Sequence, residues 1–176
     1  RDPDQRDDVI DQYADVAQAL SDAYENWWED ISEKFDTYCE LVVGAEEQNP
    51  TVLTAHSWHG KEGIYNQWHV RPAVRDNGFW TVEVERDGDY EFELRRWPLE
   101  ADTPICAGLP ARIGVPFVDD FLPGERLPIK RAKLQVGDVI EEMGVDGEEK
   151  GVVFQLSLKA GSTRVQTWFD DGGDES

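Results

Sequence analysis

A chain of 176 residues can bury a sizeable core, and 39% hydrophobic content suits a globular fold rather than wholesale disorder. Its formal charge of −21, from 38 acidic and 17 basic side chains, argues against nucleic acid as a partner, because counterion-release binding needs clustered Lys and Arg. No apolar run is long enough to span a bilayer, so no membrane span is expected.

The chain opens at Arg1 with neither an initiator Met nor a signal h-region, which reads as a segment of a longer protein. Residues 8–38 carry Val9, Tyr13, Val16, Leu20, Tyr24, Trp27, Ile31, Phe35 and Tyr38 at the three-and-four spacing of one apolar stripe. That spacing predicts a single long helix, with Asp7 and Asp8 placed favourably near its start. Trp27 and Trp28 point about 100° apart on such a helix, so it presents a wide apolar face.

After Tyr38 the period changes to alternation. Residues 39–44 and 51–55 read as short strands around the turn AEEQNP. In 80–84, Trp80, Val82 and Val84 alternate with polar residues, as do Tyr90, Phe92 and Leu94 in 90–94. Read as a hairpin, parity requires the three-residue loop Arg86-Asp87-Gly88. That loop pairs Val84 with Tyr90, Val82 with Phe92 and Trp80 with Leu94, sets Glu83 opposite a solvated Glu91, and puts Gly88 at the left-handed position of a G1 bulge. A second hairpin is expected at the C-terminal end: a Gly161-Ser162 loop of type II′ pairs Leu158 with Val165 and Phe154 with Phe169. Between them, 99–128 is rich in Pro and Gly and reads as long connections. Strand 133–136 (KLQV) leads into a turn-rich stretch. The organisation expected is a helical arm over 1–38, a mainly β, antiparallel jelly-roll-like sandwich over 39–171, and a disordered tail over 172–176.

The stretch that points most to a contact surface is residues 51–98, which hold all three histidines and four of the seven tryptophans. His56, Trp58, His59, Asn66, Gln67, Trp68 and His69 form a polar-aromatic block. Aromatic rings can stack on the C–H faces of a sugar while amides and imidazoles bond its hydroxyls, which makes these seven the candidate substrate-binding residues. The same residues also suit a structural role, with Trp58 and Trp68 in the core and the histidines capping loops. Metal ligation is disfavoured: His56 and His59 are three apart with no carboxylate between them, and there is no H-E-x-x-H. Cys39 and Cys106 form no CxxC pair. They read as inert buried thiols or, in a secreted protein, a disulfide. No nucleophile elbow, phosphate loop or dinucleotide fingerprint is present, so no catalytic residue is assigned.

The segment RDPDQRDDVIDQYADVAQALSDAYENWWEDIS resembles the end of the catalytic domain of type I arylsulfatases, where a D-P turn leads into a helix ending in paired aromatics. The segments YCELVVGAEEQNPTVLTAHSWHG, YNQWHV and GFWTVEVERDGDYEFELRRWP resemble the C-terminal extension of a bacterial subgroup of that family. The later two thirds are also similar to galactose-binding-type jelly rolls. The resemblance implies an extracytoplasmic sulfuric ester hydrolase whose formylglycine and Ca2+ lie upstream of Arg1. The formylglycine motif C/S-x-P/A-x-R is absent: Cys39 is followed by ELVV and Cys106 by AGLP. This segment is therefore expected to be inactive alone, to hold no cofactor, to pack on its own upstream catalytic domain and to wall a pocket for a sulfated glycan or aryl sulfate. An independent carbohydrate-binding module is the alternative, and a structural or adhesive module a third reading. A sulfated polymer would meet a repulsive field, screened beyond about 8–10 Å, which Arg71, Arg75, Arg95 and Arg96 would have to offset.

Overall fold

The computed structural model describes residues 6–61 and 63–173. Asp2 and Pro3 of the D-P turn, and residues 174–176 of the expected tail, lie outside the described residues. The chain divides into two compact units, Arg1–Cys39 and Glu40–Ser176.

In the first unit a short 3-10 turn, Ile10–Gln12, precedes helix α1, Ala14–Ser32. The helix is shorter than the 8–38 stripe. At its start the Asp8 carboxylate accepts the Ile10 amide at 3.0 Å, and Tyr13 adopts φ −132°, outside the helical region. At its end the Lys34 and Phe35 amides bond carbonyls only three residues back, at Ile31 and Ser32, so the coil tightens. Such turns keep a three-residue spacing, which is why the stripe outlasts the helix. Tyr24, Trp27, Trp28 and Phe35 form a chain of ring contacts, with centroids 5.8 Å apart for Tyr24–Trp27, 6.4 Å for Trp27–Trp28 and 5.1 Å for Trp28–Phe35.

The second unit is built mainly of strands. Its larger sheet contains β1 (Leu41–Val43), β2 (His59–Gly60), β3 (Gly78–Val84), β5 (Arg131–Val136), β6 (Val139–Gly144) and β8 (Gly161–Asp170). The order is β1-β3-β8-β5-β6, with β2 also on β3. A second sheet pairs β4 (Gly88–Leu94) with β7 (Val152–Leu158). Among the described residues every strand pairing is antiparallel except β1 with β3, which is parallel, so the fully antiparallel expectation is corrected there. Residues 51–54 form no strand. The Thr51 hydroxyl bonds the Gln48 carbonyl at 2.9 Å, and a 3-10 turn follows at Ala55–Ser57.

Neither expected hairpin forms. Strand β3 pairs with β8, setting Trp80 beside Val165, Val82 beside Thr163 and Glu83 beside Ser162. Strand β4 pairs with β7, setting Tyr90 beside Leu156, Phe92 beside Phe154 and Glu91 beside Gln155. Residues 85–87 and 159–160 therefore carry the chain from one sheet to the other. Gly88 is simply the first residue of β4, opposite Leu158, and takes no left-handed conformation. Both arrangements aim the same alternate residues at one core, so alternation cannot separate a hairpin from a crossover between sheets. The core is shared accordingly: Trp80, Val82, Val84, Ala132, Leu134, Val136 and Val165 of the larger sheet pack with Val152, Phe154, Leu156 and Leu158 of β7.

The two crossovers are joined at Asp87. Its carboxylate accepts Lys159 Nζ at 2.7 Å and the Ala160 amide at 2.8 Å. The hydrogen bond from Lys159, then that from Ala160, holds the Asp87 carboxyl below its ordinary range. The Tyr90 hydroxyl donates to the Arg86 carbonyl at 2.8 Å, closing the first crossover from inside. A true hairpin exists where the sequence reading placed one strand, 133–136, and then a turn-rich stretch: β5 and β6 join through Gly137-Asp138, with Val136 opposite Val139. Gly137 takes φ +57° there, the conformation a type II′ turn requires at its first central position.

Core placement makes a direct prediction. Leu134→Ala, at a side chain 1% exposed, should lower unfolding free energy by about 2–5 kcal/mol in urea titration. Leu122→Ala, 74% exposed, should change it by less than about 0.5 kcal/mol.

Candidate functional site

The seven candidate residues separate into three environments. Trp58 belongs to the core margin: its ring lies 5.3 Å from that of Trp80, and its Cβ and Cγ fill the space over Gly78, where an added Cβ would come within 2.8 Å. The Trp80 indole N–H in turn donates to the Thr54 carbonyl at 2.8 Å. Trp58 is thus a packing residue. His59 sits on β2 in register with Phe79, their rings 5.5 Å apart, on the outer face of the larger sheet.

The remaining five gather around one short helix, α2 (Gln67–Val70). Asn66 caps it, its side-chain oxygen accepting the His69 amide at 3.3 Å. Gln67 Oε1 accepts Arg71 Nε at 2.8 Å. Tyr65, absent from the candidate set, lies between two of its members: His56 is 5.7 Å and His69 5.4 Å from its ring, both edge-on. Tyr65 and Trp68 are more than half exposed, and Trp68 rests on Phe121 with centroids 4.7 Å apart. His69 Nδ1 is buried without a hydrogen-bond partner.

Phe121 comes from the long connection 99–128, and its neighbourhood explains how that connection is held. Residues 106–112 and 121–127 run back along each other, with Arg112 and Phe121 exchanging backbone bonds of 2.9 and 2.8 Å and the Leu127 amide bonding the Cys106 carbonyl at 3.0 Å. Gly108 and Gly124 permit the approach, since a Cβ on Gly108 would fall 1.8 Å from the Gly124 carbonyl oxygen. Arg71, buried beneath, donates to the carbonyls of Pro110 and Leu122, each at 2.9 Å, and lies 5.2 Å from the Phe121 ring centroid. Arg96, 4.4 Å from the Trp97 ring centroid, donates to the carbonyls of Ile105, Ala107, Val70 and Glu125. Burial, with the charge of Arg112 adding to it, lowers the Arg71 pKa from its ordinary value; burial is also the leading cause for Arg96.

These assignments bear on the four arginines considered against an anionic ligand. Arg71 and Arg96 bond backbone carbonyls, Arg95 pairs with Glu93 at 2.7 Å, and Arg75 lies 3.8 Å from Asp171. Arg112, 4.6 Å from the Phe121 ring centroid, joins Trp68 at the same aromatic side chain and has a buried Nε without a partner. Neither Phe121 nor Arg112 carries any sequence signal linking it to 56–69, because the connection between them is formed by backbone and arginine hydrogen bonds. Cys39 is exposed and Cys106 buried, and neither forms a disulfide, which corrects the disulfide reading and the burial of Cys39. Among the described residues, no three His, Cys, Asp or Glu side chains are grouped to hold a metal ion, and no helix is long and apolar enough to cross a membrane.

Comparison with known proteins yields no matching family model, curated protein or solved structure.

The arginine bonding gives a prediction. Arg96→Ala should cost about 1.5–3 kcal/mol, because it leaves carbonyls that a charged donor now satisfies. Hydrogen exchange should accelerate at Gly124, Glu125 and Leu127 more than at β3 or β8.

Proposed function

We propose that the chain is the non-catalytic C-terminal part of an arylsulfatase-like sulfuric ester hydrolase. In this reading the two-sheet unit is a jelly-roll-type sandwich. The N-terminal segment is one long helical arm that docks on the catalytic domain, and the α2 surface forms part of the wall of a pocket for a sulfated glycan or aryl sulfate. The observation that carries the reading is the apolar face of α1. A single helix has no second body within its own unit on which to bury Val16, Leu20, Tyr24, Trp27 and Trp28, and α1 contains no buried residue. Apolar rings in a continuous row need covering by a further surface.

Ca2+ and the formylglycine nucleophile would belong to the upstream catalytic region, and the reaction would run there. The residues present would position and enclose substrate: Tyr65 and Trp68 offer exposed rings, Asn66 and Gln67 stiffen the helix that carries Trp68, and Phe121 with Arg112 supports it. An extracytoplasmic location follows from the same family reading. The half-exposed Tyr65 and Trp68 favour a second reading, an independent carbohydrate-binding module that stacks sugars on these rings without a catalytic domain.

The test uses the natural reading frame. A C/S-x-P/A-x-R motif upstream and hydrolysis of 4-nitrophenyl sulfate by the full protein are expected; absence of both would overturn the proposal. Trp27→Glu combined with Trp28→Glu should weaken binding of this chain to the separately produced upstream region by roughly thirtyfold or more. Unchanged binding would remove the docking role.

A further inference from the structure

Strand β6 ends the larger sheet on one side, and its far edge pairs with no other described segment. An edge strand presents a row of unpaired amides and carbonyls, which is a template for a further strand. Register sets Val139, Glu141 and Met143 opposite Val136, Leu134 and Ala132, so these three lie on the core side of the sheet. Their partners on β5 are buried, yet Val139 is 42% and Met143 44% exposed. The smaller sheet, two strands among the described residues, leaves them uncovered. The strand is held at both ends. The Gly137-Asp138 turn fixes one, and at the other Val145 packs on the core and its amide donates to the Lys130 carbonyl at 2.8 Å.

Charge on β6 is divided between its faces. On the outer face Glu142 lies 4.0 Å from Arg131 and 3.9 Å from Lys133. On the core side Glu141 stands between Val139 and Met143, with no ion pair among the described residues. We propose that β6 is the docking edge for one extended strand of a partner protein, which sets a Lys or Arg opposite Glu141 and apolar residues opposite Val139 and Met143. Main-chain hydrogen bonds join the two strands, and the alternate side chains select the partner.

Glu141 rejects the other occupants. A charge on the inward side of an edge strand blocks indiscriminate pairing. An apolar strand would take water from this carboxylate and return no counter-charge. A second copy fares no better. When two β6 edges pair antiparallel with their core sides together, the register that matches Val139 with Met143 sets Glu141 against Glu141. The neighbouring registers set Glu142 against Glu142, or Asp138 against Glu142 and Val139 against Glu141, and like charges placed opposite one another repel. Each copy also carries −21. A cationic residue between apolar ones meets the carboxylate and covers its neighbours at once. The edge belongs to neither α1 nor α2, so the assignment is independent of the sulfatase reading.

The substitution Glu141→Lys turns a second copy into such a partner, because its ammonium then meets Glu141 of the unchanged chain while Val139 and Met143 cover one another. At about 0.15 M salt, where charges are screened beyond about 8 Å, sedimentation velocity should find the unchanged chain and the variant each monomeric. An equimolar mixture should form a dimer at least about tenfold tighter than either self-association. Amide exchange in the unchanged, isotope-labelled chain should slow at 139–144 in that mixture. Glu141 is exposed, and circular dichroism reports that the variant folds. If it does not, the peptide Asp-Val-Ile-Lys-Glu-Met-Gly, the 138–144 sequence with Lys at its centre, takes its place. A mixture that stays monomeric, or associates without slowing exchange at 139–144, would overturn the docking edge. Dimerisation of the unchanged chain through 139–144 would overturn the exclusion of a second copy. Equally tight association of Glu141→Leu with the unchanged chain would overturn the cationic class.

Discussion

Two crossovers, at residues 85–87 and 159–160, determine the arrangement of the β-rich unit. Each takes a pair of strands that adjoin in sequence and places them in different sheets, with their apolar sides facing a common core. Because both do so at the same end, β3 can pair with β8 and β4 with β7, and one sheet pairing implies the other. The Asp87 carboxylate, bonded to Lys159 and to the Ala160 amide, ties one crossover to the other. Exposed ion pairs contribute little free energy. The weight of this arrangement therefore rests on the shared burial of Val82, Val84, Val165, Phe154 and Leu156, with Asp87 fixing geometry.

A second constraint holds the long connection in place. Backbone groups in a structureless segment still need partners when buried, and here the donors are side chains. Arg71 and Arg96 satisfy carbonyls of Pro110, Leu122, Ile105, Ala107, Val70 and Glu125, which fastens the connection to the segment bearing α2. The same bonds place Phe121 under Trp68. The α2 surface is therefore composite: its exposed aromatic residue comes from one part of the chain and the side chain supporting it from another.

Strands β3, β4, β7 and β8 were legible in the sequence with their inward faces, because burial on one face imposes a period of two. By contrast, β2 was not read, and 51–55 was read as a strand that does not form. Partners were not legible. Val82 beside Phe92 and Val82 beside Thr163 satisfy the same alternation, and the decision depends on whether 85–87 bends within a sheet or between sheets. The tight hairpin at Gly137-Asp138 went unread because β6 is exposed throughout and shows no apolar alternation. In the candidate site, the clustering of His56, Asn66, Gln67, Trp68 and His69 follows from their closeness in sequence. The different placements of Trp58 and His59 do not. Trp58 is held by Gly78 and Trp80, and His59 by pairing with β3, and both are contacts made through tertiary structure.

The central claim is that both strand pairs cross between sheets, and cysteine cross-linking tests it most directly. In a Cys39→Ser background, oxidation of Glu83→Cys with Ser162→Cys should form a disulfide within a folded monomer, detected by mass spectrometry, because these residues are register partners. Glu83→Cys with Glu91→Cys should not, because the two lie in different sheets. Ready cross-linking of 83 to 91 and failure of 83 to 162 would restore the hairpin and contradict the account.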